Sequence, residues 1–218
     1  MAKLKEKLGF TCTDCGTGSC SKGDGNFPEF CLTTHLTEKE IDDLADLYNN
    51  NEEVRRLAIA GAEVEGGFYG KYTRVEEIIE FAKRIGAKKI GIATCSGLLT
   101  ESKIFARILK TKGFEVFGVA CKVAAIPKTR IKIGDEYIRR EGEPICNPLL
   151  QAKLLNKNKT NLNVVVGLCV GHDSLFYKYS KAPVTTLVTK DRITGHNPVA
   201  ALYTAQSYYK KLLAKINE

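Results

Sequence analysis

The stretch Lys89-Ile-Gly-Ile-Ala-Thr-Cys-Ser-Gly-Leu98 decides the fold. A short apolar, β-prone run ends at Thr94. One cysteine and a Ser-Gly turn then lead into Leu98 to Lys112, where apolar residues recur at helical spacing. The rhythm repeats downstream. Strands are expected at Lys89 to Thr94, Glu115 to Ala120, Asn163 to Leu168 and Val184 to Thr189. Helices are expected at Leu98 to Lys112, Pro148 to Asn156, Asp173 to Ser180 and Pro198 to Lys215. Strands this apolar on both faces, joined by helices, imply a mainly parallel sheet covered on both sides. With right-handed crossovers the expectation is a doubly wound α/β domain of four strands or slightly more. The segment Lys128 to Glu143 alternates and turns at Gly134-Asp135, which predicts a hairpin in the sheet's edge loop.

Working outward, the preceding fifty residues read as three helices announced by N-terminal capping boxes. These are Thr37 with Glu40, Thr73 with Glu76, and a looser pair, Asn50 with Glu53. The third helix places Val75, Ile78, Ile79, Ala82 and Ile85 on one stripe and stops at Gly86. Farther upstream, Thr11 to Phe30 is rich in Gly, Ser, Thr, Asp and Cys without hydrophobic period, as in a loop-rich arm ordered by metal. The expected organisation is a Cys-rich metal-binding arm (1–35), a helical segment packing on the sheet domain (36–86), and a Rossmann-like α/β domain (87–218).

Composition excludes several classes. The 218 residues are 44% hydrophobic and 27% charged, which is neither disordered nor fibrous. The apolar run around Val164 to Val170 is far short of the roughly 20 residues needed to cross a bilayer, and Met1 to Leu8 lacks an apolar signal core. A cytoplasmic protein without membrane contact is expected. The 33 Lys and Arg against 25 Asp and Glu give +8, but the basic residues are dispersed. Lys3, Lys5 and Lys7, like Lys153, Lys157 and Lys159, read as solvated faces, and a nucleic-acid partner is disfavoured.

The eight cysteines form two sets. Cys12, Cys15, Cys20 and Cys31 follow a C-x2-C-x4-C-x10-C spacing in the arm, whereas Cys95, Cys121, Cys146 and Cys169 recur at intervals of 26, 25 and 23. In a reducing compartment such thiols serve metals or catalysis rather than disulfides. Cys95, Cys121 and Cys169 fall just past strand carboxyl ends, and Cys146 precedes Asn147-Pro148, an N-cap and first helical residue. All four should converge in the crevice where open α/β sheets bind ligands. Helix N-termini there favour anionic sulfur, with Ser96, Gly97, Asn147 and Gly171 as cluster-cradling residues. Four thiolates from separate loops suit a [4Fe-4S] cube. The arm suits a second cube or a structural zinc.

The phrases Thr94-Cys-Ser-Gly-Leu, Ala120-Cys-Lys-Val-Ala-Ala-Ile-Pro-Lys, Ile145-Cys-Asn-Pro, Gly167-Leu-Cys-Val-Gly-His-Asp and Lys190-Asp-Arg-Ile-Thr-Gly-His-Asn-Pro together resemble domain-of-unknown-function family 1847. The resemblance covers nearly the whole chain. It implies metal ligands and an anaerobic bacterial or archaeal setting, and it supplies no reaction. At the fold level, α/β proteins with [4Fe-4S] clusters at strand ends, such as 2-hydroxyacyl-CoA dehydratases and the thiouracil desulfidase group, offer an analogy that raises iron–sulfur over zinc. Those groups typically leave one iron free for substrate, whereas a fourth cysteine is available here.

His172 and His196 extend the geometry as proton donors or as turn residues. Asp173 is placed to orient the His172 imidazole, and Lys122 and Lys128 can offer ammonium groups to an anion. The loop Gly66-Gly-Phe-Tyr-Gly-Lys-Tyr72 reads as a lid or an interhelical connection, and it fails the phosphate-loop pattern. The sequence thus predicts a metal-binding, iron–sulfur protein that performs redox chemistry on a small molecule, with a redox partner protein and a homo-oligomer both open. The alternatives are a metal or sulfur carrier or sensor, and a zinc-stabilised nucleic-acid binder. Two four-thiolate centres of charge 2− would lower +8 to about +4, which weakens the last of these.

Overall fold

The computed structural model describes residues 9–214; the Lys3, Lys5 and Lys7 alternation lies outside them. The chain divides into two compact units, Met1–Ile59 and Ala60–Glu218.

In the first unit, the arm is built from single turns. A 3-10 turn at Cys12–Asp14 is closed by a Thr11/Asp14 capping box. A four-residue helix, α1 (Ser19–Lys22), lies between two left-handed glycines, and a second 3-10 turn covers Leu32–His35. Ser19 is buried and donates to the Asn26 carbonyl at 2.6 Å, while the Phe10 and Phe30 rings meet at 5.5 Å. Helix α2 (Glu38–Asn50) starts from the expected Thr37/Glu40 box. The looser box is displaced by one residue: α3 (Glu52–Phe68), which runs on into the second unit, is capped by Asn51, whose Oδ1 accepts the Val54 N–H at 3.1 Å.

The second unit carries the sheet. Gly66 and Gly67 are helical, so only Tyr69 to Thr73 connects α3 to α4 (Arg74–Arg84), and the lid reading gives way to a tight interhelical turn. Phe68 stacks on Tyr72 at 4.1 Å, with the Arg84 guanidinium over Phe68 at 5.3 Å, which fixes that turn. Strands β1 (Lys89–Thr94), β2 (Glu115–Ala120), β3 (Leu162–Val166) and β4 (Val184–Val188) form an all-parallel sheet in the order β2-β1-β3-β4. The fold is doubly wound α/β. Helix α5 (Leu99–Thr111) joins β1 to β2. Helix α6 (Pro148–Lys157) returns past β1 to β3, and α7 (His172–Tyr179) joins β3 to β4. Right-handed crossovers running in opposite directions put α5 on one face and α6 on the other.

Burial follows the pattern. The central strands carry Ile90, Ile92, Val164, Val165 and Val166 at 2% exposure or less, each contributing about 1.5–3 kcal/mol by leaving water. The edge strands β2 and β4 are only partly covered. Gly91 pairs with Asn163, and a Cβ there would collide with the buried Asn163 amide, so the close approach of these central strands requires glycine.

Two sequence expectations fail. Residues 128–143 form no hairpin: they make 3-10 turns at Lys128–Ile131 and Asp135–Tyr137, closed by one antiparallel bridge between Pro127 and Pro144. The buried Glu143 carboxylate overrides the short alternation by drawing in Lys128 Nζ at 2.9 Å and Arg139 Nη2 at 2.7 Å. The long C-terminal helix is also absent among the described residues. Helix α8 (Val199–Tyr203) stops at Thr204, whose hydroxyl turns back onto the Ala200 carbonyl at 2.6 Å, and a 3-10 turn follows at Lys210–Leu213.

Candidate metal centre

The sheet topology assembles the second cysteine set. Strands β2 and β3 flank β1 on opposite sides, so the chain reverses its winding beside β1, where such sheets open a crevice at their carboxyl ends. Cys95 and Cys121 follow β1 and β2 directly, Cys169 follows β3, and Cys146 precedes Asn147, the N-cap of α6. All four, with Leu168 and His172, line one void. Cys95 and Cys121 are buried, and Cys146 and Cys169 are partly exposed.

Backbone donors surround the sulfurs. The Ser96 N–H points at Cys121 Sγ at 3.3 Å and the Gly97 N–H at Cys95 Sγ at 3.4 Å. Asn147 is locked twice: its N–H donates to the Cys121 carbonyl at 2.7 Å, and its Oδ1 accepts from Leu150 N–H at 3.0 Å. Gly171, at φ +82°, lets the chain enter α7. Below the site, fully buried Gln151 donates to the Thr94 and Val119 carbonyls at 3.1 and 2.7 Å and so ties together the ends of β1 and β2. The loop after Cys121 stores strain, with Ala124 and Ala125 both at positive φ.

The thiols are electrostatically unequal. Its hydrogen bond with Cys121, and then burial, push the Cys95 thiol up to about 12. The hydrogen bond from Cys121, and then the Lys122 ammonium, hold Cys146 down at about 6, so Cys146 is a thiolate at neutral pH. Arg192 Nη2 reaches Cys169 Sγ at 3.0 Å, and that contact raises the guanidinium's own affinity for its proton. Burial, and then Lys122, lower the pKa of His172, which keeps its imidazole neutral.

The remaining predicted residues separate. His172 lines the thiol void, and its Nδ1 is buried without a hydrogen-bond partner. Asp173 does not orient it; its carboxylate accepts the Ser174 N–H at 2.8 Å. His196 spends Nδ1 on the Asp191 N–H at 3.1 Å and so holds its own turn. Lys122 donates to the Pro144 carbonyl. Lys128, read as able to reach an anion, is committed to Glu143. Sequence reasoning missed Arg192 and Gln151. Arg192 lay inside the quoted Lys190-Asp-Arg phrase, and Gln151 sits one helical turn after Asn147, facing the strand ends.

The arm thiols are arranged differently. Cys12 and Cys20 are exposed, and Cys15 and Cys31 are half-buried. The Gly18 N–H, and then the Thr17 hydroxyl, lower the pKa of Cys15. Among the described residues, no group of three or more His, Cys, Asp or Glu side chains stands ready-made in the geometry of a single metal ion.

Both the thiol void and a larger cavity of about 630 Å³ beside it are bordered by Cys146, Cys169 and His172. The centre is therefore accessible from one side. The donor set fits a thiophilic centre: four soft sulfurs, amide N–H donors aimed at two of them and a guanidinium at a third.

The family described as "Protein of unknown function (DUF1847)" matches residues 31–187, a span holding all four sheet cysteines and Cys31. "Uncharacterized protein MJ0455" from Methanocaldococcus jannaschii is 48% identical over 185 residues, 85% of this chain and 94% of its own. Among solved structures, a crystal structure of Dph2 from Pyrococcus horikoshii with a 4Fe-4S cluster is similar at a TM-score of 0.35 and 20% identity. That similarity covers 65% of this chain, which spans only 33% of the Dph2 chain. By the extent of the family match and of the archaeal relative, the chain belongs to the DUF1847 family.

Proposed function

We propose that Cys95, Cys121, Cys146 and Cys169 hold a [4Fe-4S] cluster at which a small molecule is reduced. The observation that carries this reading is the shared border of the thiol void and the 630 Å³ cavity, made by Cys146, Cys169 and His172. A structural zinc site is closed, whereas a reactive centre keeps an open side. When bound, the cluster would supply single electrons. The protein's part is to hold the thiolates, donate N–H bonds to sulfur, and present the neutral His172 imidazole, whose unpartnered Nδ1 can take up a proton. A cytoplasmic setting and an electron-donor protein go with this reading; no described helix is long and apolar enough to cross a membrane.

The arm set, by its spacing and the lowered pKa of Cys15, supports a second thiolate centre, either a further cluster or zinc. Anaerobic purification with iron, sulfide and zinc analysis tests both readings. A brown protein with acid-labile sulfide that is lost in Cys121→Ala supports the sheet cluster. A colourless protein holding only zinc overturns it. Metal that survives in Cys121→Ala and disappears in Cys15→Ala belongs to the arm.

A further inference from the structure

The cavity beside the thiols has a chemical character that the proposed function does not use. Its lining includes six aliphatic side chains, Ile126, Ile131, Ile133, Ile145, Leu149 and Leu175. Set among these are four cations, Lys122, Lys128, Arg139 and Arg192, against one carboxylate, Glu143. Glu143 is already committed to Lys128 and Arg139 at 2.9 and 2.7 Å. Lys122 and Arg192 have no carboxylate partner within 4 Å among the described residues; Lys122 donates to the Pro144 carbonyl and bonds the Cys146 sulfur, and Arg192 donates to the Cys169 sulfur. An ammonium has three N–H donors and a guanidinium five, so both keep donors to spare.

Charge bookkeeping narrows the ligand. A doubly negative cluster together with Glu143 would still leave one of the four cations unmatched. The first residues of α6 and α7, Pro148 and His172, also line the cavity and add the partial positive ends of two helices. One net positive charge in a lining with six aliphatic side chains is complementary to a molecule with one anionic end and an apolar body. A volume of about 630 Å³ is in the range of small-molecule sites.

We propose that this cavity binds an aliphatic monocarboxylate, with its carboxylate at Lys122 and Arg192 and its hydrocarbon against the aliphatic side chains of the lining. The inference rests on the reading of the thiol set as a reactive centre and names the class of substrate brought to it. The bound carboxylate lies beside Cys146, Cys169 and His172, which border the same cavity.

Calorimetric titration of the anaerobically purified protein with octanoate, octylamine and octanol tests the proposal, with iron and sulfide measured on the same sample and the titration repeated after chelation. Octanoate should saturate at one per chain, and octylamine should show no saturable binding. Ile131 is 53% exposed, so Ile131→Asp places a negative charge in the lining without touching the core; it should weaken octanoate at least about tenfold, and Ile131→Lys should not. If circular dichroism shows Ile131→Asp misfolded, Lys122→Gln should give the same loss. Absent octanoate binding, equal binding of octylamine, or unchanged affinity in the folded variants overturns the proposal. Octanoate binding in protein that never held iron or sulfide upholds the cavity assignment and sinks the cluster; a cluster without octanoate binding does the reverse.

Discussion

Arg192 Nη2 lies 3.0 Å from the sulfur of Cys169, so a guanidinium from beyond the last strand braces a thiol at the end of β3. Hydrogen-bonded supports of this kind set the affinity of a metal site. Arg192→Gln should lower metal retention about 10–100-fold, read as iron remaining after a graded chelator challenge. Arg192→Lys should fall between, since it keeps the charge but loses the fixed fork. Equal retention in all three proteins would show that the contact is incidental.

The thiols should titrate far apart in metal-stripped protein. Cys146, held at about 6, is a thiolate above that pH and loses its reactivity as pH falls through it. Cys95, pushed up to about 12, stays protonated throughout the neutral range. Alkylation by iodoacetamide, mapped by mass spectrometry from pH 5 to 9, should label Cys146 with an inflection near 6 while sparing Cys95. A Cys146 rate that climbs only above pH 8 would contradict this.

Acid should release the loop over residues 128–143 before the sheet unfolds. Arg139, and then Lys128, hold the Glu143 carboxyl at about 2, below its ordinary 4.5. The stabilisation is complete above the ordinary carboxylate range and is lost as pH falls through the folded value. Amide hydrogen exchange, corrected for intrinsic rates, should show this loop opening between pH 4 and 2, and Glu143→Gln should open it at pH 6. Uniform protection in that variant would refute the assignment.

Gln151 joins the ends of two strands beneath the site, so Gln151→Leu should cost about 1–2 kcal/mol in urea unfolding, less than the full loss of two bonds because the unpartnered Oε1 also goes. Metal retention should drop with it, since Thr94 and Val119 lie directly upstream of the Cys95 and Cys121 loops. A stability loss with unaltered retention would confine Gln151 to packing.

Local signals were legible, and of the long-range ones only the cysteine spacing was. Strand runs, the Thr37 and Thr73 boxes and the N-cap Asn147 are each written within a few residues, and the cysteine spacing announced that strand ends would bring thiols together. The hairpin failed because alternation over Arg130 to Ile133 is too short to outweigh the pull of buried Glu143 on Lys128 and Arg139. The long last helix failed because past Thr204 the chain closes three-residue turns, Ala205 N–H to the Leu202 carbonyl at 3.2 Å and Ser207 N–H to the Thr204 carbonyl at 3.0 Å, in place of helical bonds. Arg192 was invisible as a partner of Cys169 because its role depends on the turn that His196 holds.

The thiol order along the chain also sets a timetable. The arm's four cysteines are complete once residue 31 has been made, but the sheet's set needs β1, β2, α6 and β3, and its guanidinium brace comes only with residue 192. If the arm holds metal as proposed, it can therefore do so early in synthesis, while the crevice stays unfinished until most of the domain has folded. On the proposed reading, loading of the crevice reports on a finished sheet: a chain truncated or stalled before β3 lacks Cys169 and so one of the four proposed ligands.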